Sequence, residues 1–145
     1  IPESSRTKRI VQDLSRAATG IIIDNIQNII CRQLKSRRQI EITLALKKLL
    51  SEDSHINRRP SYYAQLLHIS PVYLNEVVKN ITGTTASKYI QDEIILRAKR
   101  MLIYTTLSIK EIAFNLGFDD HTYFTRLFTQ TAGLSPTTYR KKYLE

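Results

Sequence analysis

His121, Thr122, Thr125, Arg126 and Thr129 recur at spacings of three and four, which lines them along one face of a helix. About fifty residues earlier, Val72, Asn75, Glu76 and Lys79 follow the same spacing. These side-chain types suit the edges of nucleic-acid bases. Arg126 can fork onto a guanine, Asn75 can pair with an adenine edge, Glu76 can accept from a cytosine amine, and Val72 can pack on a thymine methyl group. The major groove of DNA, roughly 12 Å wide, admits a helix. Alone, either face is an ordinary solvated helix surface. Two such faces on one repeated scaffold argue for chemistry.

The scaffold that must position them repeats at a shift of 50. Ser70 meets Asp120, Tyr73 meets Tyr123, Leu74 meets Phe124, Val78 meets Phe128, Gly83 meets Gly133 and Tyr89 meets Tyr139. Caps, core positions and terminators therefore match together. The helix preceding each of these fits a shift of 49, so the second unit has one extra residue in its turn. The pattern predicts two copies of a helix-turn-helix. In such a unit the second helix buries one face and offers the other to the major groove. Ser70 with Pro71 and Asp120 with His121 mark the starts of these second helices. Gly83 and Gly133 mark their ends. The stretch Ser87–Tyr104 reads as one long helix between the units, with Ile90, Ile94, Ala98, Met101 and Leu102 on one face. At 1.5 Å per residue it spans roughly 27 Å, enough to set two helices about one DNA turn apart. Ser108 and Glu111 form a capping box for "SIKEIAFNL". Ser135 and Pro136 open a last short helix.

The composition suits a folded chain with a sizeable core: 145 residues, 42% hydrophobic and 24% charged, with four Gly and four Pro. So few breakers favour helices over a many-turned β fold. The net charge of +9 suggests a polyanionic partner, nucleic acid or an anionic membrane surface. It is unevenly spread. Residues 1–39 hold eight Lys/Arg against three Asp/Glu, residues 40–104 nine against six, and residues 105–145 five against four, giving +5, +3 and +1. The second unit is thus nearly neutral, so groove contacts must matter there beside bulk charge. A lone cysteine, Cys31, expected as a small buried apolar residue, makes no internal disulfide and points to a reducing, cytoplasmic compartment. His55, His68 and His121 do not fall at metal-ligand spacing, and no metal or other cofactor is expected. No segment of about 18 uncharged apolar residues occurs, so no membrane span is expected. Neither a phosphate loop nor a nucleophile–base set is present, which speaks against an enzyme.

The N-terminal part reads differently. Residues 1–6 look like a loose end. Ile22, Ile26, Ile29, Ile30 and Leu34 stack in a helical stripe, which Gly20 is expected to interrupt. Lys35–Gln39, "KSRRQ", reads as a charged joint and a boundary. A further helix follows over Ile40–Leu50, then a polar loop, "SEDSHINRRP". Lys47, Lys48, Arg58, Arg59, Arg140, Lys141 and Lys142 flank the units as candidate phosphate contacts. The stripe either packs on this chain's own core or meets a partner.

The stretch "SIKEIAFNLGFDDHTYFTRLFTQTAGLSPTTYRKKY" resembles the signature of the AraC/XylS family of bacterial transcription regulators. Ser108, Ile109, Glu111, Ile112, Ala113, Gly117, Phe118, Asp120, Tyr123, Phe124, Arg126, Phe128, Gly133, Ser135, Pro136, Tyr139 and Arg140 fit it, with Thr122 for the usual Ser. "YAQLLHISPVYLNEVVKNITG" fits the family's looser first motif. The resemblance covers about residues 40–145. It implies an all-α fold with two helix-turn-helix units on a long linker helix, preceded here by an extra N-terminal helical segment. It implies base contacts from Val72, Asn75, Glu76, His121, Thr122, Thr125 and Arg126. Backbone contacts would come from Ser70, Lys79, Thr129, Arg140 and Lys141. It also implies double-stranded DNA as partner, with RNA polymerase as a further one. Residues 1–39 are then expected to be the tail of a missing sensing or dimerising domain. A homodimer would form through residues 7–34, and an effector small molecule would bind the missing part. The competing reading is a helical protein-interaction module with only nonspecific DNA affinity.

Overall fold

The computed structural model describes the backbone of residues 2–53 and 59–144, with side chains from Ser4 onward. His55 and Arg58, with the middle of the loop before Pro60, lie outside the described residues. The order is α1 (Pro2–Glu52), α2 (Pro60–Leu66), α3 (Pro71–Thr82), α4 (Ala86–Tyr104), α5 (Ile109–Asn115), α6 (His121–Ala132) and α7 (Pro136–Leu144). The described residues are all-α. By their contacts they fall into two units, Ile1–Arg38 and Gln39–Glu145.

α1 corrects three expectations. It is one helix of 51 residues that runs from Pro2 through Gly20 and through Lys35–Gln39 without interruption, while the boundary between the two units falls inside that charged run. A glycine in a helix interior costs only about 1 kcal/mol relative to alanine, and the space around Gly20 is open. Lys, Arg and Gln are good helix formers, so a run of them is charged without being a breaker. The isoleucine stripe does not join the core. Ile22, Ile26, Ile29, Ile30 and Leu34 are 48–61% exposed. Cys31 is exposed as well, since it belongs to the same stretch of α1, where every described residue before Gln39 is exposed.

In the second unit the start and stop signals act as local chemistry predicts. Ser70 Oγ accepts from Tyr73 N at 3.1 Å, ahead of Pro71. Thr85 Oγ1 accepts from Lys88 N at 3.2 Å, starting α4 one residue earlier than expected. Ser108 and Glu111 cap α5 reciprocally, at 3.2 and 2.7 Å. Asp120 Oδ1 accepts from Thr122 N at 2.8 Å, and Ser135 Oγ from Thr138 N at 3.2 Å. Gly83 and Gly133 close α3 and α6 in the left-handed conformation.

α4 is the axis of this unit: α2, α3, α5, α6 and α7 all pack on it. Ile90, Ile94, Ile95, Ala98 and Leu102 of α4 are buried, with Leu74 and Val78 on one side and Phe124 and Phe128 on the other. Leu46 and Leu50, from the end of α1, join the same core. The repeat is visible in three dimensions, but the second copy is more aromatic. Phe118, Phe124, Phe128 and Tyr139 form a chain of rings with centroids 5.2, 5.9 and 5.5 Å apart. Burial pushes the Tyr89 and Tyr139 hydroxyls above their ordinary value, with Glu93 and Tyr143 adding to it respectively.

Candidate nucleic-acid interface

α3 and α6 each bury one face and present the other. On α6, Phe124 and Phe128 have no exposed surface, while His121, Thr122, Arg126 and Thr129 are exposed and Thr125 is half-buried. On α3, Leu74, Val77 and Val78 are inside; Val72, Asn75, Glu76 and Lys79 are outside, Val72 at 79% exposure. An apolar side chain this open at the start of a helix is what contact with a thymine methyl requires.

The polar atoms on α6 are partly committed. Thr125 Oγ1 donates to the His121 carbonyl at 2.9 Å, and Thr129 Oγ1 to the Thr125 carbonyl at 2.7 Å. With their protons turned inward, these hydroxyls offer acceptor lone pairs and methyl groups to the surface. Arg126 is the donor of the face. Its guanidinium carbon lies 5.6 Å from the centre of the Tyr123 ring, and that ring packs on Phe118 at 6.0 Å. The stacking restricts a long side chain and favours one direction for its planar fork. Tyr123 is therefore a packing residue with Arg126 laid over it. Asp120 stands at the helix start, its carboxyl held below the ordinary value by the Thr122 N–H, with further help from the Thr122 side chain and His121.

Two expected contacts have other partners. Asn75 Oδ1 accepts from Ala86 N at 3.0 Å, tying α3 to the first turn of α4. Arg140 donates through Nε to the Leu102 carbonyl at 3.0 Å, and through its terminal nitrogen to the Leu107 carbonyl at 2.6 Å. It clamps α7 onto the end of α4 and the loop that follows. A similar clamp, unforeseen from the sequence, joins Arg97 to the Asp53 carbonyl at 2.6 Å, at the end of α1. These partners are main-chain oxygens 33 to 44 residues away, so no spacing pattern announces them. Ser70, Lys79, Lys141 and Lys142 are exposed. Lys142 Nζ lies over the Tyr143 ring, 5.7 Å from its centre. Lys48 pairs with Glu52 at 3.8 Å in full view of solvent, a contact of little energetic weight. Among the described residues no cluster of His, Cys, Asp and Glu could hold a metal ion. None of the described helices is long and apolar enough to cross a membrane.

Residues 63–142 match a family described as a helix-turn-helix domain. The chain is similar to an uncharacterised helix-turn-helix-type transcriptional regulator of Bacillus subtilis, YfiF, with 32% identity over 98% of this chain and 46% of that protein. It is similar to the arabinose operon regulatory protein of Salmonella typhimurium, with 33% identity over 61% of this chain and 31% of that one. Among solved structures it resembles the C-terminal domain of AraT, a response regulator from Geobacillus stearothermophilus. The identity is 29% and the TM-score 0.63, over 70% of this chain and 84% of that one. The chain thus spans less than half the length of these two curated relatives.

Proposed function

The chain belongs to the AraC/XylS family of helix-turn-helix transcription regulators, and on that footing we propose that it binds double-stranded DNA sequence-specifically with both units. α3 and α6 enter successive major grooves, joined by α4, whose 19 residues extend roughly 28 Å at 1.5 Å per residue. The observation that carries this reading is the duplicated geometry. Two capped helices, one per repeat, each bury an apolar face on α4 and expose a face of side chains of the types that suit base edges. Base contacts fall to Val72 and Glu76 on α3 and to His121, Thr122, Thr125 and Arg126 on α6. Ser70, Lys79, Thr129 and Lys141 hold phosphates. Arg140 is left out of that set, because two of its five N–H donors bond to carbonyls and hold the guanidinium against the end of α4 and the loop after it.

Residues 7–34 form a homodimer contact in this reading, supported by the half-exposed isoleucines of α1. The effector binds a part that the longer relatives have room for, RNA polymerase is the partner at the promoter, and the compartment is the cytoplasm.

Selection of the purified chain on a randomised duplex library at about 0.15 M salt tests the proposal. Enrichment of one motif with two half-sites about a helical turn apart supports it. A single half-site leaves base reading to one unit. No enrichment, with binding that vanishes as salt rises, would sink it and favour a protein-interaction module.

A further inference from the structure

The 50-residue repeat allows the two recognition helices to be compared atom by atom, and at one place they differ in kind. In the first unit the side chain of Asn75 reaches over to the start of α4 and accepts from the backbone N–H of Ala86 at 3.0 Å. The matching positions in the second unit are Thr125 and Pro136. Proline has no N–H to donate, and Thr125 turns its hydroxyl onto the His121 carbonyl of its own helix. So the bond cannot exist in the second copy. There the recognition helix is tied to the following helix by rings instead: Phe128 meets Tyr139 at 5.5 Å, edge to face. The first copy has Val78 and Tyr89 at those positions, and Val78 offers no ring.

We propose that Asn75 is a positioning residue, which sets how α3 is presented to DNA by locking it to the N-terminus of α4, and is not a reader of a base. This rests on the sequence-specific reading above. Bidentate pairing with an adenine needs the amide oxygen as acceptor and the amide nitrogen as donor together. One of the two lone pairs of that oxygen is taken by Ala86, and the bond fixes the amide against α4 instead of leaving it free to align flat with a base edge. The N–H it satisfies belongs to the first turn of α4, which has no intrahelical acceptor, so releasing it for DNA leaves that N–H without its partner. Base preference in the first half-site then falls to Val72 and Glu76, whose side chains lie on the same face without such a tie.

Two substitutions separate the roles. Asn75→Asp keeps an oxygen acceptor for Ala86 and removes the donor that an adenine requires. Asn75→Ala removes both. The readout is the selected motif, beside the solution NMR shift and exchange rate of the Ala86 amide in the free protein. The expected result is that Asn75→Asp keeps the wild-type base preferences, with an overall loss of affinity from its added negative charge, while its Ala86 amide stays protected. Asn75→Ala is expected to expose that amide, with exchange at least tenfold faster, and to blur every position of the first half-site while leaving the second intact. If Asn75→Asp and Asn75→Ala both lose preference at one base pair only, Asn75 reads that base and the proposal falls. An unaltered motif in Asn75→Ala overturns it equally. A wild-type chain that selects no motif brings down the sequence-specific reading itself, and is seen in the control before any variant is compared.

Discussion

At the scale of single residues, the chemistry of the exposed faces is set by where each polar atom is already spent. Arg126 lies over Tyr123, its guanidinium carbon 5.6 Å from the ring centre, and in the proposed reading it is the side chain that meets a guanine. Arg126→Ala should weaken the best site by about 1–3 kcal/mol and relax preference at one base pair. Competition between that site and random DNA checks it, and equal losses on both would remove Arg126 from base reading. Arg140 looks equivalent in a list of basic residues but serves the fold. Its two carbonyl partners at 3.0 and 2.6 Å are half-buried. Arg140→Ala should lower stability by about 2 kcal/mol, seen as a lower urea midpoint at unchanged slope. The salt dependence of DNA binding should stay as it is; a salt slope shallower by about one would mark Arg140 as a phosphate contact after all.

At the scale of elements, the repeat exposes a strained turn. The turn between α2 and α3 places His68 at a φ of 55°, where the second unit has Gly117 at 78°. A side chain in the left-handed region costs roughly 1–2 kcal/mol, part of which a glycine returns as unfolded-state entropy. His68→Gly should therefore stabilise by about 0.5–1 kcal/mol, measured by thermal unfolding; a destabilised variant would mean that the imidazole packs to advantage. The capping box of α5 makes a second prediction. The Ser108 backbone N–H, then its hydroxyl, holds the Glu111 carboxyl below its ordinary value of 4.5. A depressed carboxylate contributes stability above the unfolded-state value and loses it as pH falls through the lower, folded one. Melting temperature should thus decline below about pH 4.5, where Asp120, also depressed, adds its own loss from 3.8 downward. Glu111→Gln should flatten the upper part of that decline, and an identical profile would detach Glu111 from it.

At the scale of the whole molecule, the stretch of α1 before Gln39 is the feature without a core of its own. Its isoleucines and leucines are half exposed or more along one helix, and a row of that kind is suited to association. Replacing Ile22 and Ile29 by Asp should turn a concentration-dependent dimer into a monomer in sedimentation, with the helix-turn-helix unit still folded by circular dichroism. A wild type that is monomeric at every concentration would dispose of the dimer contact.

Much of this was decided by the sequence alone. Caps, terminators and the apolar periodicity of residues 70–144 are local signals, read over three or four residues, and they placed α3 to α6 within a residue and the start of α7 at Pro136. The 50-residue repeat, with the family signature, pointed to the two outward faces. Only the tertiary structure decided which of the candidate contact side chains already have partners. Asn75 meets Ala86, and Arg140 meets Leu102 and Leu107, because distant main-chain groups converge when α3 and α7 pack on α4. Such convergence depends on packing between helices and leaves no trace in spacing. The continuity of α1 shows the converse limit. A glycine and a basic run look like joints, yet each costs so little within a helix that its neighbours carry the helix through.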